Sequence, residues 1–411
     1  MDTSKRTTVW LAWGMATLFY AYQYVLRVLP NVVMPDVMKK YSVSSVELGQ
    51  FAGIYYIAYA AAHIPLGTWL DKKGPKYVLP ACIVATVLGA VPLVVSDSWS
   101  MVYCGRILTG FGSAGAILGM FKVIHIGFPE NKFARMLGIS AFIGLMGAIY
   151  GSQPLARLLS IYGYDIVVQG IIYSGLIFAV ISFFVMPKAK GVKNDEINFK
   201  QDLLAVLKHK SIIYIGIFAG LMVGPLEGFS DAWGLVFLEV VYSIEKDTAA
   251  FLTSMIFLGM AFGSSIIAYI GDKTRAYYGV IIACSAIMTL IFIAVMFKWT
   301  TSHHIMTVML FVVGIFSGYQ VLTVYLSTTF VKENVVGLTT AILNMIVMSF
   351  GYLFHSVIGK ALELAWDGAI SAEGTKVYSA QSYVSAIAVI PVCLAIGGLG
   401  FIWLAKVNKA K

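Results

Sequence analysis

Twelve apolar runs, each about long enough to cross a bilayer, divide the sequence and leave only short polar segments between them. They lie at 8–34, 45–70, 77–96, 99–123, 134–157, 164–186, 211–238, 248–271, 277–297, 304–329, 336–360 and 381–405. A helix needs about 20 predominantly apolar residues to span the hydrocarbon core. Only 12% of the 411 residues are charged, against about 25% in soluble proteins. A water-soluble enzyme would have too little polar side chain to cover its surface. Disorder is excluded for the same reason, because the chain is neither charged nor low in complexity. The expected fold class is an all-α polytopic membrane protein, embedded in the lipid bilayer with short loops.

The net charge of +9 does not point to nucleic acid. Lys and Arg sit in short segments between the runs, as membrane topology requires. With the N-terminus inside, 20 of the 29 basic residues fall on the inner side and 7 on the outer, while Arg27 and Arg106 lie within spans. That bias predicts a multi-pass protein of the cell membrane, of bacterial inner-membrane type, with both termini cytoplasmic. The first run is too long for a cleavable signal peptide, and no small-residue cleavage site follows it. Cys82, Cys104, Cys284 and Cys393 all fall inside apolar runs and read as small buried residues. No cofactor or metal is expected.

The longest polar stretch, Pro187 to Lys210, divides the spans into two sets of six. The expected domains are 1–186, a linker at 187–210 and 211–411. Phe199, Leu203, Val206 and Leu207 have helical spacing beside Lys200, Lys208 and Lys210, so the linker is either plain or carries a short interfacial helix. The halves also look related. Asp71 follows span two and Asp272 follows span eight; Phe128-Pro-Glu-Asn131 precedes span five and Phe330-Val-Lys-Glu-Asn334 precedes span eleven. A duplicated six-helix unit would place a solute site near the midplane between repeats.

Between spans two and three runs Gly67-Thr-Trp-Leu-Asp71-Lys72-Lys73-Gly74-Pro75-Lys76. This resembles the signature loop of the major facilitator superfamily. The resemblance implies two six-helix bundles, alternating access around a central site, and a gating role for Gly67, Asp71, Lys72 and Gly74. Gly67 would allow close helix contact, Gly74 would make the tight turn, and Arg135 is the expected partner of Asp71. The second copy, Gly271-Asp272-Lys273-Thr-Arg275, is degraded. In span four, Arg106-Ile-Leu-Thr-Gly110-Phe-Gly112-Ser-Ala-Gly115 resembles a second family motif. Arg106 is either a structural arginine held by hydrogen bonds or a link to gating and proton coupling. In span five, Pro154 lies too late to match the pattern usual in drug antiporters of the superfamily.

Span one carries Tyr20, Gln23, Tyr24 and Arg27 on one helix face. Arg27 can grip a carboxylate or phosphate in bidentate fashion, or it can snorkel to the headgroups. The stretch from span one into span two also resembles the organic-anion symporters of the superfamily. Tyr59, His63, Gly67 and Asp71 follow their spacing, although His63 stands where Gln is usual and Leu26 where Asp is usual. Tyr55 and Tyr59 are one turn apart and are candidates to line a cavity, or to pack with their hydroxyls satisfied. Span seven holds Glu227 and Asp231, an i, i+4 carboxylate pair suited to carrying a proton, or two acids at an outer rim. Tyr319, Gln320 and Asn344 are further solute-binding candidates, and polar residues that bond neighbouring helices by the alternative reading.

These features point to a secondary transporter for a small carboxylate-bearing solute such as an organic acid, amino acid or short peptide, coupled to protons. Efflux of an amphiphile and uptake of a hydroxycarboxylate siderophore are the alternatives within transport. No convergent nucleophile, base or metal set marks an intramembrane enzyme. The short tails disfavour a sensor with an added soluble domain. A monomer is expected.

Overall fold

The computed structural model describes residues 3–188, 199–331, 335–371 and 376–409. They form helices, with a single isolated bridge, Ile370 to Lys376, among the described residues. Nine helical stretches among them are long and apolar enough to cross a membrane, and a bent pair, Lys210–Leu221 with Gly224–Tyr242, makes ten. Helices α1 (Thr3–Tyr41) and α2 (Ser45–Lys73) have the length but not the apolar content. They carry the tyrosines, Gln23, Arg27 and His63, so the polarity that removes them from that set is the candidate site itself. The chain divides into two compact units, Met1–Tyr41 with Ile54–Asp195, and Ser42–Gly53 with Glu196–Lys411.

The first unit continues with α3 (Pro75–Ala90), α4 (Pro92–Val95), α5 (Trp99–Gly127), α6 (Glu130–Tyr150), α7 (Gln153–Tyr162) and α8 (Tyr164–Val185). Helix α1 extends beyond the run at 8–34 into the segment expected to be a loop. At about 1.5 Å per residue its 39 residues exceed the hydrocarbon thickness. It packs against α5, α6 and α8. Trp13 Nε1 donates to Ser140 Oγ at 2.8 Å, Thr17 Oγ1 lies 3.0 Å from the same atom, and Tyr22 Oη donates to the Ile171 carbonyl at 2.9 Å. Such interhelical bonds are worth about 0.6 kcal/mol each on average; they orient helices more than they bind them. Closer packing comes where α3 meets α5, since a Cβ on either Gly89 or Gly105 would strike the other's carbonyl. Three of the four cysteines are buried as expected, while Cys104 is exposed.

The second unit holds α9 (Phe199–Lys208), α10 (Lys210–Leu221), a π-helical segment (Gly224–Trp233), α11 (Gly234–Tyr242), α12 (Lys246–Thr274), α13 (Tyr277–Met296), α14 (His303–Ser317), α15 (Gln320–Thr328), α16 (Val336–Leu364), α17 (Ala380–Ile387) and α18 (Val389–Lys409). The linker thus carries a helix, α9. Its Val206 packs with Ile212 and Ile342. Residues 189–198, and the landmark residues Lys332, Glu333 and Asn334, lie outside the described residues. The pairings α1 with α6 and α3 with α8 recur as α10 with α16 and α13 with α18, matching the order expected of a duplicated unit.

The sequence reading put all of span two in the first half; residues 42–53 cluster with the second unit instead. The cause is a row of small residues, Ser45, Gly49 and Gly53, four apart on one helix face. Cβ atoms on Gly49 and Gly53 would collide with backbone atoms of His355 and Tyr352 on α16. Ser45 Oγ donates to the Gly359 carbonyl at 2.8 Å, and Tyr378 Oη donates to Glu363 Oε2 at 2.8 Å while accepting from the Ser45 N–H at 3.4 Å. Lys376 pairs with Glu363 and lies over the Trp366 ring.

Candidate functional site

Within the first unit, the stripe on α1 meets a second stripe on α2. Arg27 is 5% exposed and does not run out to the headgroups. Its Nε donates to Tyr56 Oη at 3.1 Å, and its guanidinium carbon lies 5.0 and 4.9 Å from the ring centroids of Tyr24 and Tyr56. The two aromatic faces and the bond to Tyr56 help to fix the plane of the fork. This geometry suits bidentate recognition of a planar oxyanion. Tyr20 stands edge-on to Tyr24 at 5.2 Å. Tyr55 Oη donates to Gln23 Oε1 at 2.6 Å, and Tyr55 and Tyr59 stack at 5.9 Å. Gln23 and Tyr55 are both 1% exposed, so they hold α1 to α2 behind the arginine. Tyr56 lies off the helix face that carries the i, i+4 pair Tyr55 and Tyr59, so periodicity alone does not mark it. An intramembrane Arg two helical turns from the chain's first external segment was the signal that a partner existed.

Arg106 sits on α5 with its guanidinium 4.7 Å from the Tyr55 ring centroid. It donates through Nη1 to the Leu26 carbonyl at 2.7 Å and through Nη2 to the Arg27 carbonyl at 2.8 Å. The reason lies in α1. Pro30 has no N–H, so the Leu26 carbonyl four residues before it loses its helical donor. Arg106 supplies one. These two bonds are of the kind the structural reading of Arg106 expects, and by gripping Arg27's own carbonyl the side chain also positions that residue.

The signature loop differs from expectation in two places. Asp71 pairs with Lys122 at 2.7 Å, whereas Arg135 is exposed and makes no contact with it. Lys122 lies near the end of α5, and its position in the sequence does not distinguish it from an ordinary inner-side charge. Gly67 meets nothing: a Cβ there would enter open space. It borders a cleft of about 340 Å³ that Leu70, Asp71, Phe121 and Lys122 also line. Gly74 does turn the chain, at φ 75°, in the left-handed region that favours glycine. Lys72 is exposed. In the second copy, Arg275 takes the corresponding position at φ 55°, and Asp272 receives the Tyr277 hydroxyl at 3.3 Å instead of a cation. The loss of glycine there is therefore a loss of local backbone ease.

In the second unit, span seven is not one α-helix. After α10 the chain bends by 41° and continues with π-type bonding from Gly224 to Trp233. Pro225 removes a donor at the bend. Tyr319, expected to line the site, is fully buried and donates its hydroxyl to the Ala219 carbonyl at 2.7 Å. That carbonyl also accepts from the Met222 N–H at 3.0 Å, so the hydroxyl adds a second bond at the end of α10. Glu227 and Asp231 both lie in the π segment and are 1% exposed, which excludes the outer-rim reading. A π turn takes a little over four residues, so the two acids still share a face. Ser230 Oγ, between them, is 3.3 Å from the carbonyls of Pro225 and Thr253. Gln320 and Asn344 are half-buried. The amide nitrogen of Gln320 makes no hydrogen bond among the described residues.

The sequence profile of the Major Facilitator Superfamily matches residues 14–356. A probable L-galactonate transporter of Escherichia coli (strain K12) is 22% identical over 277 residues, 63% of this chain; the chain spans 61% of that relative's length. The hexose-6-phosphate:phosphate antiporter of Escherichia coli (strain K12) is 22% identical over 410 residues, covering 92% of this chain and 86% of the antiporter. Among solved structures, a bacterial homolog of the human lysosomal transporter Spinster superposes with a TM-score of 0.78 at 17% identity, covering 99% of each chain. The nucleoside transporter NupG superposes at 0.70 and 14%, covering 96% of this chain and 99% of its own.

Proposed function

We propose that this chain, which belongs to the major facilitator superfamily and is one of its secondary transporters, moves a small carboxylate-bearing solute by alternating access, coupled to protons. The observation that carries this reading is Arg27, buried within its unit between Tyr24 and Tyr56 with Nε tied to Tyr56. A buried guanidinium whose plane is fixed by two rings loses little freedom on gripping a carboxylate. Tyr20, Gln23, Tyr55 and Tyr59 form the wall behind it. Glu227 and Asp231, buried on one face in the second unit, are the acids assigned to proton carriage. Gln320 and Asn344 are assigned to the solute's polar remainder. Asp71 with Lys122, beside Lys72 and Gly74, is assigned to gating. The protein resides in a cell membrane of the bacterial inner type with both termini inside, and acts as a monomer.

The names of two relatives support an anionic cargo, since one names a sugar acid and the other a sugar phosphate. A phosphate ester is accordingly the second reading, because the same fork accepts either oxyanion. Proteoliposomes decide between them. Organic acids, amino acids, dipeptides and hexose phosphates are offered singly, with and without an inward proton gradient. Losing one charge-assisted bidentate contact of about 1.5–3 kcal/mol predicts a fall of roughly 10- to 100-fold in kcat/KM for Arg27→Ala. Arg27→Lys falls nearly as far, for lack of a fork. Unchanged uptake by a folded Arg27→Ala protein refutes the assignment. Glu227→Gln or Asp231→Asn removes the response to the gradient if that residue carries the proton.

A further inference from the structure

The α2 stripe does not end at Tyr59. His63 follows one turn later on the same face, its ring 4.8 Å from that of Tyr59 and its side chain buried. Its Nδ1 is 2.8 Å from the Tyr59 carbonyl oxygen. A carbonyl can only accept, so Nδ1 carries the hydrogen and Nε2 presents its lone pair. No hydrogen bond to Nε2 is found among the described residues. The backbone has thus selected the tautomer and left the basic nitrogen available.

The neighbouring groups matter for what a proton there would do. On α2, Tyr59 is the adjacent titratable group, and Asp71 lies two turns beyond, engaged with Lys122 of α5. From α1, the titratable and charged groups of the facing stripe are Tyr20, Tyr24 and Arg27. Helix α5 passes from Gly110, against the Tyr55 backbone, to Gly115, near Leu66, and the residues between them bear no titratable side chain. Arg106 lies one level back, over Tyr55. Among the described residues on these faces of the unit, Asp71 is engaged with Lys122 and no other carboxylate stands ready to balance an imidazolium at position 63. An anion held by Arg27 would supply that charge.

We infer that His63 is a proton-binding residue of the solute site, taking a proton on Nε2 when an anionic solute enters and returning it when the solute leaves. The step is a simple protonation. A hydronium ion gives up a proton to form the Nε2–H bond and becomes water, no electrons are exchanged, and the imidazolium charge is offset by the solute's oxyanion. By linkage, the proton and the anion each raise the affinity for the other. The inference rests on the anion-site reading of Arg27, and it deepens that reading by adding a proton carrier in the first unit.

The test uses the full chain. Protein labelled with ¹³C and ¹⁵N on histidine is titrated in micelles from pH 5 to pH 8. The His63 resonance is identified by its loss in His63→Gln, in which the amide can replace the carbonyl contact. The same titration is repeated with malate, gluconate and glutamate as probes. In parallel, uptake is measured in proteoliposomes at pH 5.5 and 7.5. The expected results are a neutral ring protonated on Nδ1 and a titration midpoint that rises with a bound probe. An ordinary histidine changes charge largely within this window, so uptake should differ by about tenfold between the two pH values in the wild type and by less than about twofold in His63→Gln. An Nε2–H tautomer, a ring that does not titrate in either condition, or an unchanged pH profile in His63→Gln overturns the inference. If no carboxylate is carried or bound, the Arg27 reading fails; the tautomer and titration of the ligand-free protein still judge His63 separately.

Discussion

Replacing Arg106 by methionine should destabilise the first unit through one carbonyl more than through the lost charge. Two charge-assisted bonds disappear, at 2.7 Å to Leu26 and 2.8 Å to Arg27. The Arg27 carbonyl keeps its place in the helical ladder, because Asn31 four residues on has an N–H. The Leu26 carbonyl has no such recourse, because its helical donor would be Pro30. A buried carbonyl left without a donor costs about 1–3 kcal/mol, and the surviving ladder bond at Arg27 limits the second loss to about 1 kcal/mol. The sum is about 3 kcal/mol for Arg106→Met. Pro30→Ala restores an N–H aimed at Leu26, so Arg106→Met made in that background should cost only about 1–1.5 kcal/mol. The coupling is therefore about 1.5–2 kcal/mol, to be read from a double-mutant cycle of equilibrium unfolding in mixed micelles. Losses that add to within about 0.5 kcal/mol would show that the freed carbonyl is not what Arg106 serves. A fall in uptake by Arg106→Met that Pro30→Ala also relieves would show that the arginine acts on the solute site through the α1 backbone.

The two glycines of the signature loop should respond oppositely to alanine. Gly67→Ala adds a methyl to open space and should leave unfolding within about 0.5 kcal/mol of the parent. Gly74→Ala forces a Cβ into φ 75° and should cost about 1–2 kcal/mol; the reverse order in a melting comparison defeats the reading. The Lys376 ammonium is held above the usual lysine range, chiefly by its hydrogen bond to Glu363. A cation raised in the folded state adds stability that is fully present below its unfolded value, about 10.5, and disappears as pH climbs through the folded one. The difference in Tm between the parent and Lys376→Met should accordingly stay level from pH 7 to 9 and close at higher pH. A difference that instead grows with pH contradicts the pairing.

What could be read from the sequence, and what could not, follows from which property encodes each feature. The all-helical membrane class and the turn at Gly74 depend on apolar length and on φ, and both are written residue by residue. The break in span seven depends on bonding register, to which hydropathy is blind; Pro225 was visible, yet a proline alone does not distinguish a kink from ten residues of π-helix. Helical periodicity found Tyr20, Gln23, Tyr24 and Arg27 as one face, because they share one helix. It could not say that Tyr56 rather than Tyr55 would reach Arg27, or that Asp71 would take Lys122 rather than Arg135, because those choices depend on how two helices are rotated against each other. The bond from Tyr319 to the Ala219 carbonyl, a hundred residues earlier, is hidden from the sequence for the same reason.

A common physical arrangement recurs beside the candidate groups of each unit, taken separately. In α1, Pro30 leaves a carbonyl that Arg106 must satisfy, and satisfying it fixes the backbone that carries Arg27. In span seven, Tyr319 adds a side-chain bond to the Ala219 carbonyl beside the bend, just before the segment bearing Glu227 and Asp231. Arg27 and the two acids thus each lie near an irregularity in their helix, where a side chain from a different helix of the same unit bonds to the backbone. An intact helix would satisfy its own carbonyls and leave a polar side chain free to choose among rotamers and helix rotations. An interrupted helix needs an outside donor, and that donor ties the polar residue to one place. Burying Arg27 at 5% exposure and the two acids at 1% demands such fixed surroundings, because an ionisable group in the membrane is tolerated only where its partners are already arranged.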